Sequence, residues 1–232
     1  AYLRNSKFKE CDALKAERAY PLITWTDGGK ALSREVDAKT EPRTVKIIRA
    51  EDSGIISFLR ERMKDGGCAG IIVNTVARAQ QMLTLIKAEL ADYATILDHA
   101  QFAMPDRIRR EERIVERLGK ESTPEKRDRL IVIGTQVLEQ SLDIDFDTLI
   151  TDLCPMDLLL QRIGRLQRHT WRTRPASASQ PVCMVLGTDL NALESGAEFI
   201  YGRDMLMKTA CLLKDEICLP NDISELVQMA YD

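Results

Sequence analysis

Short, uninterrupted apolar runs recur along this chain, each handing over to a longer helical pattern, and they leave few folds open to it. Thr44-Val-Lys-Ile-Ile48 precedes a helical stretch over 53–64, Gly70-Ile-Ile-Val73 leads into one over 76–90, and Ala94-Thr-Ile-Leu97 into one over 105–118. Leu130-Ile-Val-Ile133 and Thr148-Leu-Ile-Thr151 follow, then a helix over 157–167, and Val182-Cys-Met-Val-Leu186 closes the series. Strands that are apolar throughout are buried on both faces, and strand–helix alternation demands crossovers. The prediction is therefore α/β, a mainly parallel sheet with helices on both faces. Residues 43–192 hold this domain. Residues 1–42 read as a linker or approach segment, and 193–232 as a helical extension broken by Pro220.

With 232 residues and 44% hydrophobic content the chain can bury a core, and its longest apolar runs fall far short of the ~18 residues that span a membrane. The formal net charge of −3 gives no global signal for a polyanion, so any nucleic-acid surface must be local. Six cysteines without a Cys-x-x-Cys pair, and two histidines remote from them in sequence, argue against zinc or a disulfide scaffold and for reduced thiols in the cytoplasm. The charged start Ala1-Tyr-Leu-Arg-Asn5 lacks Met and reads as the cut edge of something longer.

The residues that carry chemistry fall at strand-to-helix junctions. At 100° per residue, Gln161, Gly164, Arg165 and Arg168 share one stripe of the 157–167 helix, opposite Leu159, Ile163 and Leu166. Planar, permanently charged guanidinium forks suit phosphate oxygens. Gly164 reads as a mid-helix glycine, which costs ~1 kcal/mol and suggests close approach. Five arginines and no acid between Arg162 and Arg174 predict the strongest local positive field. Thr135 follows a buried strand and is a phosphate-contact candidate at the carboxyl edge, where ligands of open α/β sheets bind. Asp143, Asp145 and Asp147 alternate with Ile144 and Phe146, so the acids are expected to face solvent, with one available to ribose hydroxyls. Asn74 and Thr75 fit either a helix cap or a ligand role. Arg78 opposes the helix dipole in a first turn, which calls for an anionic partner.

Gly134-Thr-Gln-Val-Leu-Glu-Gln-Ser-Leu-Asp-Ile-Asp145, Thr151-Asp-Leu-Cys-Pro-Met-Asp157 and Gln161-Arg-Ile-Gly-Arg-Leu-Gln-Arg-His169 resemble motifs five and six of superfamily-two helicases, and in detail those of the helicase/nuclease of type I CRISPR systems. The resemblance extends to Asn74-Thr-Val-Ala-Arg-Ala-Gln80, to Leu97-Asp-His-Ala-Gln-Phe102, to the entry Tyr20-Pro-Leu-Ile-Thr24 and to the helical tail, and so spans nearly the whole chain. Gln101 and Gln167 depart from the usual Arg and His of that family. Neither a Gly-x-x-x-x-Gly-Lys-[Ser/Thr] cradle nor an Asp-Glu-x-His box is present.

The resemblance implies a second RecA-like domain of an ATP-dependent translocase acting in CRISPR interference. Arg165 and Arg168 would be its catalytic arginines on the γ-phosphate, and Gln161, Gly164 and Asp143 would bind nucleotide, with Asp143 on the ribose. Asn74, Thr75, Arg78 and Thr135 would line a single-stranded-DNA path. ATP is the implied ligand, and Mg would be bound through a first RecA-like domain. The implied partners are that domain, a nuclease domain and a CRISPR surveillance complex. The alternatives are another superfamily-two DNA or RNA helicase, or a non-catalytic domain docking through the 162–174 arginines.

Overall fold

A computed structural model describes residues 17, 19–28, 30–36, 41–139 and 142–231. The helical piece expected near the start of the 1–42 segment, and Gln140-Ser141 of motif five, lie outside them. Strands β1 (Leu22–Asp27) and β2 (Lys30–Glu35) pair as an antiparallel hairpin of their own, within a segment read from sequence as a linker. The domain proper begins with β3 (Arg43–Ala50) and α1 (Ile55–Arg62). It continues with β4 (Cys68–Ile72), α2 (Val76–Glu89), β5 (Ala94–Asp98), α3 (Met104–Leu118) and α4 (Pro124–Arg127). After β6 (Leu130–Gly134) come β7 (Thr148–Asp152), α5 (Met156–Ile163) and β8 (Val182–Leu186). The tail holds α6 (Ser195–Tyr201), α7 (Arg203–Leu212), β9 (Glu216–Leu219) and α8 (Ile223–Tyr231).

The main sheet runs β5-β6-β4-β7-β8-β3-β9, parallel except for β9, which pairs antiparallel with β3. Strands β4, β6, β7 and β8 are buried at every residue, which is the physical reason for their unbroken apolar runs. Alternation along each strand supplies two cores. On one face Ile131, Ile133, Ile150 and Met184 meet Phe58 and Leu59 of α1 and Met82 and Ile86 of α2. On the other, Leu130, Val132, Leu149 and Val185 meet Ile114 of α3, Leu159 and Ile163 of α5, and Leu206 and Leu226 of the tail. Close approach fixes Gly70: a Cβ there would stand 2.8 Å from the Phe146 ring. The tail departs from a purely helical extension, since β9 caps the sheet edge and its helices share the second core.

Candidate nucleotide cleft and the carboxyl edge of the sheet

Helix α5 is shorter than its amphipathic pattern predicts. It ends at Ile163 with Gly164 as its C-cap, in ordinary helical backbone, so Gly164 is a terminus and not a mid-helix glycine. Backbone bonds from Arg165 to Arg162 and from Leu166 to Ile163 extend the turn, and Gln167, at φ +47°, redirects the chain. Arg43 of β3 holds this turn by donating to the Gln167 carbonyl at 2.7 Å and the Gly164 carbonyl at 3.3 Å. The predicted two-sided sorting survives: Leu159, Ile163 and Leu166 are fully buried, while Gln161, Gly164, Arg165 and Arg168 line a cleft of about 850 Å³ together with Asp143.

Arg165 donates to the carbonyls of Leu142 and Glu139, both at 2.6 Å, and makes no ion pair among the described residues. Burial lowers its pKa and neighbouring Arg168 adds to that, with Asp143 opposing. Its charge is thus held by peptide dipoles without being cancelled, an arrangement that an incoming anion would relieve. Arg168 is half-exposed and pairs with Asp143 at 3.0 Å. Because both partners are about half in water, that pair is weak and open to exchange.

The expected positive field over 162–174 is not what the fold delivers. Arg162 is wholly buried among Glu139, Thr151, Asn74 and the Ile72 and Asp152 carbonyls. Asp145 and Asp147, expected to face solvent, are buried as well. Arg174 reaches Asp147 at 2.7 Å and Asp145 at 2.8 Å; Arg172 meets Asp145 at 3.0 Å, and Arg127 meets Asp147 at 3.0 Å. Burial would raise the Asp147 pKa, but Arg127 and Arg174 outweigh it and the net shift is downward. The Cys68 amide also donates to Asp147 at 2.8 Å, and burial beside that carboxylate drives the Cys68 thiol well up. Only Arg165 and Arg168 of the arginines in motif six remain for a ligand, which removes most of the surface that the docking alternative needs.

At the carboxyl edge, Thr75 caps α2 by accepting from the Arg78 amide at 3.2 Å, the capping reading of its sequence position. Asn74 is buried, donating to the Leu153 carbonyl at 2.8 Å and accepting from Arg162 at 3.1 Å. Arg78 has its anionic partners within the chain, Asp152 at 2.7 Å and Asp52 at 2.7 Å. The adjoining cleft of about 260 Å³ carries Glu51, Asp52, Asp152 and Glu194 against that one arginine, so it repels phosphate in this arrangement. Asn74 and Arg78 therefore hold the edge together and do not project from it. Thr135 is buried next to the β6 terminus.

One carboxylate at this edge is buried without a side-chain hydrogen bond among the described residues. Both carboxylate oxygens of Asp98, at the end of β5, are buried with no side-chain donor, and the following His99 stacks on Phe102 at 4.1 Å, a ring that Arg110 covers. Burial, with Glu111 adding to it, pushes the Asp98 pKa up to about 6 against Arg107 and Arg110. A carboxyl whose folded pKa is raised contributes stability below its unfolded pKa of about 4 and loses it as pH rises through its folded pKa. Asp98→Asn is accordingly expected to raise Tm at pH 7.5 and to change little at pH 4. Melting curves at the two pH values check this, and an equal gain at both would contradict it.

Among the described residues no cluster of three or more His, Cys, Asp or Glu side chains fits a metal ion, and no helix is long and apolar enough to cross a membrane. The family model described as CRISPR-associated nuclease/helicase Cas3, C-terminal, matches residues 65–171. The CRISPR-associated nuclease/helicase Cas3 of Streptococcus thermophilus is 42% identical over 223 residues, covering 95% of this chain and 24% of the relative. The crystal structure of T. fusca Cas3-ATP superposes with a TM-score of 0.81 at 30% identity, over 94% of this chain and 27% of that one. A chain in a CRISPR RNA-guided surveillance complex, pre-nicking, superposes at 0.80 with 27% identity, over 94% of this chain and 29% of that one. The chain thus spans about a quarter of the length of these relatives.

Proposed function

The chain belongs to the CRISPR-associated nuclease/helicase family as its second RecA-like domain, and from that premise we propose that it is the C-terminal helicase half of an ATP-driven single-stranded-DNA translocase of CRISPR interference. Arg165 and Arg168 meet the γ-phosphate when a first RecA-like domain closes over the cleft. Asp143 releases Arg168 and takes the ribose hydroxyls, while Gln161 and Gly164 shape the wall between them. At the carboxyl edge, Thr75 contacts strand phosphates, while Asn74, Arg78 and Thr135, buried or paired within the chain and so not the strand contacts expected of them, keep the two loops in register. ATP hydrolysis uses Mg supplied through the first domain. The whole protein works in the cytoplasm with its nuclease domain and a CRISPR RNA-guided surveillance complex, as the likeness to a chain of such a complex suggests.

The observation that carries this reading is the pair of guanidinium groups on one wall of an open cleft, one held by carbonyls alone and the other by a half-exposed carboxylate. Lacking a glycine-lysine phosphate cradle, the 232-residue chain is expected to hydrolyse no ATP by itself and to support DNA-stimulated turnover when combined with the upstream helicase half. A phosphate-release assay checks both. Turnover by the chain alone at the rate of the combined halves would reject the assignment.

A further inference from the structure

Trp171 stands at the mouth of the cleft with 64% of its surface in water. A single exposed aromatic is unremarkable on a protein surface. This one, however, is built onto a rigid support. Its ring stacks on the buried His169 at 4.6 Å with 29° between the planes. The chain on either side is tied down: the Arg168 amide donates to Asp145 at 2.9 Å, and Arg172 binds Asp145 at 3.0 Å, the Ser122 carbonyl at 2.7 Å and the Gly119 carbonyl at 3.0 Å. Those last bonds fasten the Trp171 loop to the turn that carries Lys120, whose ammonium lies 5.8 Å from the indole centroid.

The neighbours also come in a chemically meaningful order. Arg168 contacts Asp143 at 3.0 Å, Asp143 lies 3.8 Å from His169, and His169 stacks on Trp171. Guanidinium, carboxylate and aromatic ring thus follow one another along the cleft wall, the order in which phosphate, sugar hydroxyl and base follow one another in a nucleotide. Arg165, Arg168, Asp143, His169 and Trp171 all line the same cavity.

We propose that Trp171 is the nucleobase platform of this cleft: the base of the bound nucleoside triphosphate stacks on the exposed indole, with the Lys120 ammonium beside it. The inference rests on the nucleotide reading of the cleft. Stacking uses the π-face that every base shares, so the platform adds affinity for purine nucleotides generally and does not select adenine over guanine.

The test is calorimetric titration of the full-length protein with MgATP, MgGTP and Mg-tripolyphosphate, alongside binding of a short single-stranded oligothymidylate. Trp171→Ala is expected to weaken MgATP and MgGTP about tenfold, within the range of one base-stacking contact, and to leave tripolyphosphate unchanged. Trp171→Phe restores most of the affinity, whereas Trp171→Leu, apolar but unable to stack, does not. Unchanged ATP affinity in Trp171→Ala overturns the proposal. So does a loss that extends equally to tripolyphosphate, which marks a structural role, or a loss confined to the oligonucleotide, which places Trp171 on the strand. The underlying reading fails separately, if Arg165→Ala with Arg168→Ala leaves tripolyphosphate binding intact.

Discussion

Arg162→Ala is expected to cost the domain ~3–5 kcal/mol, a large share of the roughly 5–15 kcal/mol by which a domain is usually stable. Its guanidinium is completely excluded from water and every polar contact it makes is internal. Nε donates to Glu139 at 2.6 Å, one terminal nitrogen to the Thr151 hydroxyl at 2.8 Å, and the other to the Asn74 amide oxygen at 3.1 Å. It thereby joins motif five, the ends of β4 and β7 and the α5 helix in one knot. Truncation leaves a buried carboxylate with no counter-charge, and this residual charge dominates the penalty. Burial already raises the Glu139 pKa, with Arg162 opposing it. Without Arg162 the carboxyl shifts further up, so the variant is more stable at low pH and loses stability as pH rises. Urea denaturation at pH 5 and pH 8 reads this dependence, and Glu139→Gln in the same background is expected to recover part of the loss. A penalty below about 1 kcal/mol would show that the knot is not what holds the edge.

Arg165→Ala or Arg168→Ala should behave in the opposite way, leaving the fold intact while ATP turnover of the complete enzyme falls ~10³-fold or more, the scale on which arginine fingers act. Neither side chain belongs to the core, and the carbonyls released by Arg165 lie at a cleft that water can enter. Lysine at either position is expected to restore little, because a point charge cannot span two phosphate oxygens as the planar fork does. Melting curves within a few degrees of wild type, with kcat lost, would separate these residues from Arg162. A fall of less than tenfold in both would remove them from the reacting phosphate.

Much of this architecture is readable from residues alone, because fully buried parallel strands leave continuous apolar runs such as Leu130-Ile-Val-Ile133, and their alternation with helical patterns identifies the crossovers. The wall of the cleft is readable for a similar reason, since helical geometry puts Gln161, Gly164, Arg165 and Arg168 on one side whether or not the helix continues past Ile163. What local pattern cannot reveal is pairing across the fold. Arg172 and Arg174 look like a free positive field until β7 and its approach bring Asp145 and Asp147 to them, and Arg127 arrives from a separate helix. The same holds for Arg78, whose partner Asp52 lies 26 positions away in sequence. Strand β9, four residues long and set between helices, carries too little periodicity to stand out; its place is set by the unpaired edge of β3.

The most direct test is a structure of the complete protein with MgADP and a metal-fluoride mimic of the transferred phosphate. The predicted result has both guanidinium groups, those of Arg165 and Arg168, within hydrogen-bond distance of the fluoride ligands, with Arg168 parted from Asp143. The contradicting result leaves Arg165 on the Glu139 and Leu142 carbonyls and Arg168 on Asp143 while the mimic is bound elsewhere.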